Sequence, residues 1–88
     1  MRKEKVTRVI DGDTFETNRR KHPVRLANVD TPEKREKGYQ KAKDALKKLI
    51  EGEYVTVERK AIDPYCRTIA NVKKDRKSVN KHMKKYEK

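Results

Sequence analysis

Asp11-Gly12-Asp13 sets two carboxylates two residues apart, and Val29-Asp30-Thr31-Pro32-Glu33 sets two more around a proline. On extended backbone, side chains two residues apart point the same way, so Asp11 and Asp13 can offer hard oxygens to one divalent cation. Asp-Gly is equally an ordinary turn signal, and the pair alone names no metal. In the second run Pro32 keeps Thr31 out of the helical region and fixes its carbonyl direction, so Asp30, that carbonyl and Glu33 can converge. A Ca²⁺ ion takes about six to eight oxygens, and this set would leave positions for water and a phosphate. The competing reading is a helix entry, with Asp30 as its cap and Pro32 in its first turn.

Two arginines join these carboxylates. Arg25 interrupts an apolar run, on the alternation face of Ala27 and Val29, where a half-covered guanidinium needs an anion. That anion is either a phosphate held by the planar fork or a neighbouring carboxylate. Arg67 follows Asp63-Pro64-Tyr65-Cys66 and starts a strand from which it can reach back to a site at the barrel mouth, while Tyr65 can stack on a base or cover the core. A plain surface role for both residues stays open. Cys66 is the only cysteine, which excludes an intramolecular disulfide and a thiolate cluster. Neither His22 nor His82 lies in a motif that would orient it as the base of a thiol hydrolase.

The elements that must position these residues follow from periodicity. Residues 5–10 (KVTRVI) and 14–17 flank the Asp-Gly turn as a hairpin, and residues 24–29 (VRLANV) return as a third strand after a basic turn at 18–23. Ala42, Ala45, Leu46, Leu49 and Ile50 form one apolar helical stripe, with Gly52 at its C-terminal cap. Residues 54–59 and 67–72 give a fourth and a fifth strand, and Ser78 caps a short terminal helix carrying Val79, His82, Met83 and Tyr86 on one face. Lys73 to Lys77 reads as a solvated turn. Three strands, a helix, two strands and a short helix predict a β-rich single domain over residues 1–88, core about 5–82: a five-stranded OB-type barrel.

Composition narrows the partners. The 88 residues carry 26 Lys plus Arg against 14 Asp plus Glu, a formal charge of +12 that favours polyanions. No apolar run approaches the roughly 18 residues of a membrane span. The first residues show no signal-peptide core, so a full-length chain is expected in the cytoplasm, as a monomer.

Taken in order, V-I-D-G-D-T, V-R-L-x-x-V-D-T-P-E, the amphipathic helix, a strand and Asp63-x-Tyr65-x-Arg67 closely resemble the thermonuclease (staphylococcal-nuclease-like) family over roughly residues 5 to 82. The resemblance implies Ca²⁺ held by Asp13, Asp30 and the Thr31 carbonyl, Asp11 in the outer shell, and Glu33 gripping a water. It implies Arg25 and Arg67 on the scissile phosphate, with Tyr65 and Asp63 contributing to substrate binding. The implied activity is hydrolysis of DNA and RNA, single-stranded or locally opened, leaving 3′-phosphorylated products with little sequence preference. Cys66 and Thr68 stand where the family usually has glycines, which predicts a narrower site. The alternative function is a catalytically weak OB module that binds strands by charge and stacking. A pure binder gains nothing from carboxylates set beside a polyanion.

Overall fold

The computed structural model describes residues 3–87. Among them are six strands, β1 Lys3–Asp11, β2 Thr14–Thr17, β3 Val24–Leu26, β4 Tyr54–Ile62, β5 Thr68–Lys74 and β6 Lys77–Ser78. Two helices, α1 Tyr39–Ile50 and α2 Val79–Met83, and a 3₁₀ turn at Lys84–Tyr86 complete the described chain. Sheet order is β3-β2-β1-β4-β5-β6, each neighbour antiparallel. β3 also pairs in parallel with β5, Val24 to Leu26 against Thr68 to Ala70, so β1 to β5 close into a ring.

β1 serves two partners because it bends. Lys3 to Lys5 pair with β4, whereas Val6 to Asp11 pair with β2 through two register irregularities. Such bulges sharpen twist and turn a strand through a corner. Alternation then sends Val6, Val9, Phe15, Val24, Leu26, Val55, Val57, Ala70 and Val72 inward, where they are buried. Helix α1 covers this core with Ala42, Leu46 and Ile50, four residues apart, and α2 adds Val79 and Met83.

The ends of the elements differ from the sequence reading in informative ways. β3 stops at Leu26 instead of Val29, because Asn28 takes a left-handed φ of 58° and breaks the ladder. The basic run 73–77 does hold a solvated turn, and it closes a hairpin: the exposed Asp75 and Arg76 both have positive φ (49° and 69°), the geometry of a two-residue turn matched to strand twist. It adds a sixth strand to the five expected. Gly52 does terminate α1, at φ 80°, and the Ser78 hydroxyl accepts from the Lys81 backbone N–H as a cap. His82 is exposed, so the buried face of α2 is Val79, Asn80 and Met83.

Asn80 was not foreseen. Its Oδ1 accepts from the Val72 N–H at 2.8 Å, and its Nδ2 donates to the carbonyls of Ala27 (2.9 Å) and Ala70 (3.1 Å). One buried amide thus ties α2 to both strands at the closure of the ring. Glu4, also buried, takes a bidentate pair from Arg20 at 2.8 Å and a hydroxyl bond from Thr17. No helix of the described residues is long and apolar enough to cross a membrane.

Candidate active site

Four separated segments meet at one cavity of about 140 Å³, lined by Asp11, Asp13, Arg25, Asp30, Thr31, Pro32, Glu33 and Arg67. The β1–β2 turn brings the first two, β3 the third, the strand exit the next four and the start of β5 the last.

The turn is shaped by packing more than by backbone freedom. Gly12 is not among the glycines with positive φ. A β-carbon there would lie 2.6 Å from the Thr31 hydroxyl and 2.7 Å from the Ala42 β-carbon. Glycine is therefore the residue that lets the hairpin press against both α1 and residue 31. Asp11 Oδ1 accepts from the Asp13 N–H at 3.2 Å, a side-chain clasp across the turn that holds the two carboxylates together.

Asp13 is buried, and it is pushed up to about 6 from 3.8 by desolvation first, then by the Asp11 carboxylate beside it. The Thr14 hydroxyl, 2.9 Å from Asp13 Oδ1, and Arg25 oppose the shift without cancelling it. Arg25 Nη2 stands 3.5 Å from Asp13 and 3.9 Å from Asp30. These separations are loose for a carboxylate–guanidinium pair, whose hydrogen bonds run about 2.7–2.9 Å. The guanidinium is poised between two carboxylates and fully engaged by neither.

Asp30 and Glu33 are exposed at the rim. Helix α1 begins only at Tyr39, with Gly38 at its N-cap, so Asp30 and Pro32 do not form a helix entry. Instead residues 31–38 run as a loop knotted by Glu36, whose carboxylate accepts from the Glu33 N–H at 2.7 Å and whose own N–H donates to the Glu33 carbonyl. Among the described residues none pairs with the Glu33 carboxylate. The Thr31 hydroxyl is buried and has no hydrogen-bond partner among the described residues. The Asp30 N–H donates to Glu87, a contact across 57 positions that no local pattern could signal.

Residues 63–67 form a three-residue hairpin loop, closed by the Asp63 N–H on the Arg67 carbonyl at 3.0 Å. Cys66 holds the left-handed position such loops require, at φ 66°. The Asp63 carboxylate accepts from the N–H groups of Tyr65 and Arg67, and from Arg67 Nε at 2.6 Å. Burial works to raise its pKa, but these hydrogen bonds outweigh it and hold the group below the usual carboxylate range. Asp63 thus aims Arg67 and lies outside the cavity lining, leaving the Arg67 Nη groups for the cavity. Tyr65 is 79% exposed and does not line the cavity; its ring lies 5.6 Å from the Arg67 guanidinium carbon.

Chemically the cavity holds four carboxylates and two guanidiniums in a molecule of net charge +12. Among the described residues no three His, Cys, Asp or Glu side chains stand close enough to enclose a metal on their own. The donors are nonetheless all hard oxygens. Burial first and the neighbouring Asp11 carboxylate second penalise the charged form of Asp13, and a divalent cation would offset both, so the set fits a hard cation sharing its shell with water and a phosphate.

A sequence model of the family described as staphylococcal nuclease homologue matches residues 23–86. Protein ParB of Escherichia coli is 41% identical over 69 residues, 76% of this chain and 39% of that protein. An uncharacterized endonuclease of Escherichia coli O157:H7 is 38% identical over 82 residues, 90% of this chain and 54% of that protein. A micrococcal nuclease of Shigella flexneri is 38% identical over 69 residues, 76% of this chain and 40% of that protein. The chain spans about half or less of the length of these relatives.

Proposed function

The chain belongs to the staphylococcal nuclease homologue family, and from that premise we propose that it is a Ca²⁺-dependent endonuclease on an OB-type barrel, acting as a monomer. Its substrates are DNA and RNA, single-stranded or locally opened, cut with little sequence preference to leave 3′-phosphates. The observation that carries the reading is the meeting of Asp11, Asp13, Arg25, Asp30, Thr31, Glu33 and Arg67, from four segments, at one cavity.

Asp13, Asp30 and the Thr31 carbonyl would hold the cation, with Asp11 supporting from the outer shell. When bound, the cation offsets negative charge on phosphate oxygens and lowers the cost of bringing a polyanion to these carboxylates. Arg67, fixed at Nε by Asp63, presents its remaining donors to the phosphate. Arg25 exchanges its loose contacts with Asp13 and Asp30 for tight ones to the same group. Glu33 accepts a hydrogen bond from the attacking water and orients it opposite the leaving oxygen, helped by having no partner among the described residues. Tyr65, exposed beside Arg67, is placed to stack on the base next to the cut.

Supercoiled DNA incubated with Ca²⁺ or with chelator tests the proposal. Wild type should nick only with Ca²⁺. Glu33→Gln should slow cutting about 10²-fold or more with substrate affinity nearly kept. Asp30→Asn should instead raise the Ca²⁺ needed. Wild type that cuts neither DNA nor RNA at any pH or Ca²⁺ level would sink the nuclease reading, leaving a strand-binding module.

A further inference from the structure

Outside the cavity, three surface depressions of about 440, 230 and 230 Å³ lie in succession along the seam between α1 and α2. The first shares Pro32 with the cavity, the second meets the first at Tyr86, and the third meets the second at Leu49 and His82. Shared lining residues thus set the three depressions in a row along the seam, the first of them next to the cavity across Pro32.

Helical spacing explains its lining. Lys41, Ala45 and Lys48 fall on one face of α1, and His82 and Tyr86, four residues apart, face them. Lys37 and Lys85 flank the first depression and Lys77 the third, where Lys74 already donates to the Leu49 carbonyl at 3.0 Å and stands 3.8 Å from Glu53; with Lys41 and Lys48 the cationic side chains still outnumber the carboxylates, Glu87, Asp75 and Glu53. Between the two basic ends lie two rings, His82 and Tyr86, with centroids 6.4 Å apart. Tyr86 rests one side on the core and His82 is exposed. Lys85 lies 5.6 Å from the Tyr86 ring centroid.

Lysines on both flanks and rings between them fit a polyanion that carries flat apolar groups. We propose that this seam is a track for a single polynucleotide strand, holding the nucleotides beyond those in the cavity, with lysines on phosphates and Tyr86 and His82 under bases. Only unpaired bases can stack on such rings, so the track selects single strands over duplex. The inference rests on the proposed function for its continuity with the cavity, but binding can be measured without cleavage.

The test is fluorescence anisotropy of a labelled oligothymidylate of about 16 nucleotides, in chelator, over a range of salt. Replacing Lys37, Lys41 and Lys85 by Gln should reduce the slope of log affinity against log salt by about 2, because each single-strand phosphate neutralised by a lysine adds roughly 0.7 to it. A control with the same charge change, Lys3, Lys5 and Lys21 to Gln, should leave it nearly unaltered. Equal slopes in the two triples would overturn the track in favour of a diffuse field. Tyr86→Leu should weaken binding about tenfold. Because Tyr86 touches the core, His82→Ala, at an exposed position, provides the same reading with no folding risk, and unchanged affinity in that variant would remove the stacking role. Cleavage of a dinucleotide in Ca²⁺ should be the same in wild type and the Lys37/Lys41/Lys85 triple. Its loss in the triple would overturn a track separate from the cavity. Failure of wild type to cleave would count against the nuclease reading and leave the binding result standing.

Discussion

Asp13 sets stability against the proposed cation-binding role in one carboxylate. Its folded-state pKa of about 6 lies above the 3.8 of an unperturbed group, so the folded protein binds the proton more tightly than the unfolded chain. Its contribution is therefore most favourable below about pH 4, declines as pH rises through 6, and above that is a penalty on the order of 2–3 kcal/mol. Asp13→Asn should raise cation-free stability at pH 8 and lose that advantage near pH 4, while cutting activity disappears. Urea unfolding at the two pH values checks this, and a variant less stable than wild type at pH 8 would mean that Arg25 already compensates the charge. Glu4 shows the opposite solution to a buried carboxylate, fully paired with Arg20 and Thr17.

Elements carry their own strains and clasps. The 63–67 loop needs a left-handed residue at position 66, and a side chain there costs about 1–2 kcal/mol relative to glycine. Cys66 is exposed and so recovers little by packing. Cys66→Gly should raise the denaturation midpoint by an amount worth about 0.5–1 kcal/mol after glycine's greater chain entropy is subtracted, with cutting kept. Lower stability, or abolished cutting with the fold intact by circular dichroism, would assign the thiol a role. At ring closure, Asn80→Ala strands one N–H and removes a donor from two carbonyls, for a loss of about 3 kcal/mol. A loss under about 1 kcal/mol by urea titration would show that water replaces the amide.

For the whole molecule the relevant quantity is the contrast between a net charge of +12 and an acid-rich cavity. On the proposed function, the general field would draw polynucleotide from a distance, and the cavity would admit its phosphate only once its own carboxylates are offset. Two effects of added ions should follow. Oligonucleotide affinity should fall at least about tenfold between 50 and 200 mM salt, alike for DNA and RNA. Ca²⁺ should raise the melting temperature of the free protein, since only the folded state gathers Asp13 with Asp30. Affinity that stays flat with salt would rule out electrostatic capture, and a melting temperature indifferent to Ca²⁺ would argue against the cation site.

Patterns local in the chain were legible from residue types alone: the apolar stripe of α1, the Ser78 cap, the alternation of the core strands, and the pairing of carboxylates at 11–13 and 30–33, to which only the family resemblance joined Arg25 and Arg67. Each depends on spacings of two to four residues, which backbone geometry converts directly into faces and turns. Contacts across long separations were not. That Gly12 makes room for Thr31 and Ala42, and that Glu87 reaches the Asp30 N–H, are outcomes of packing. The same holds for Asn80, a polar residue whose three buried partners exist only once β3 and β5 lie side by side. Residue type states which bonds a side chain can make; only the closed ring decides which partners come within about 3 Å of it.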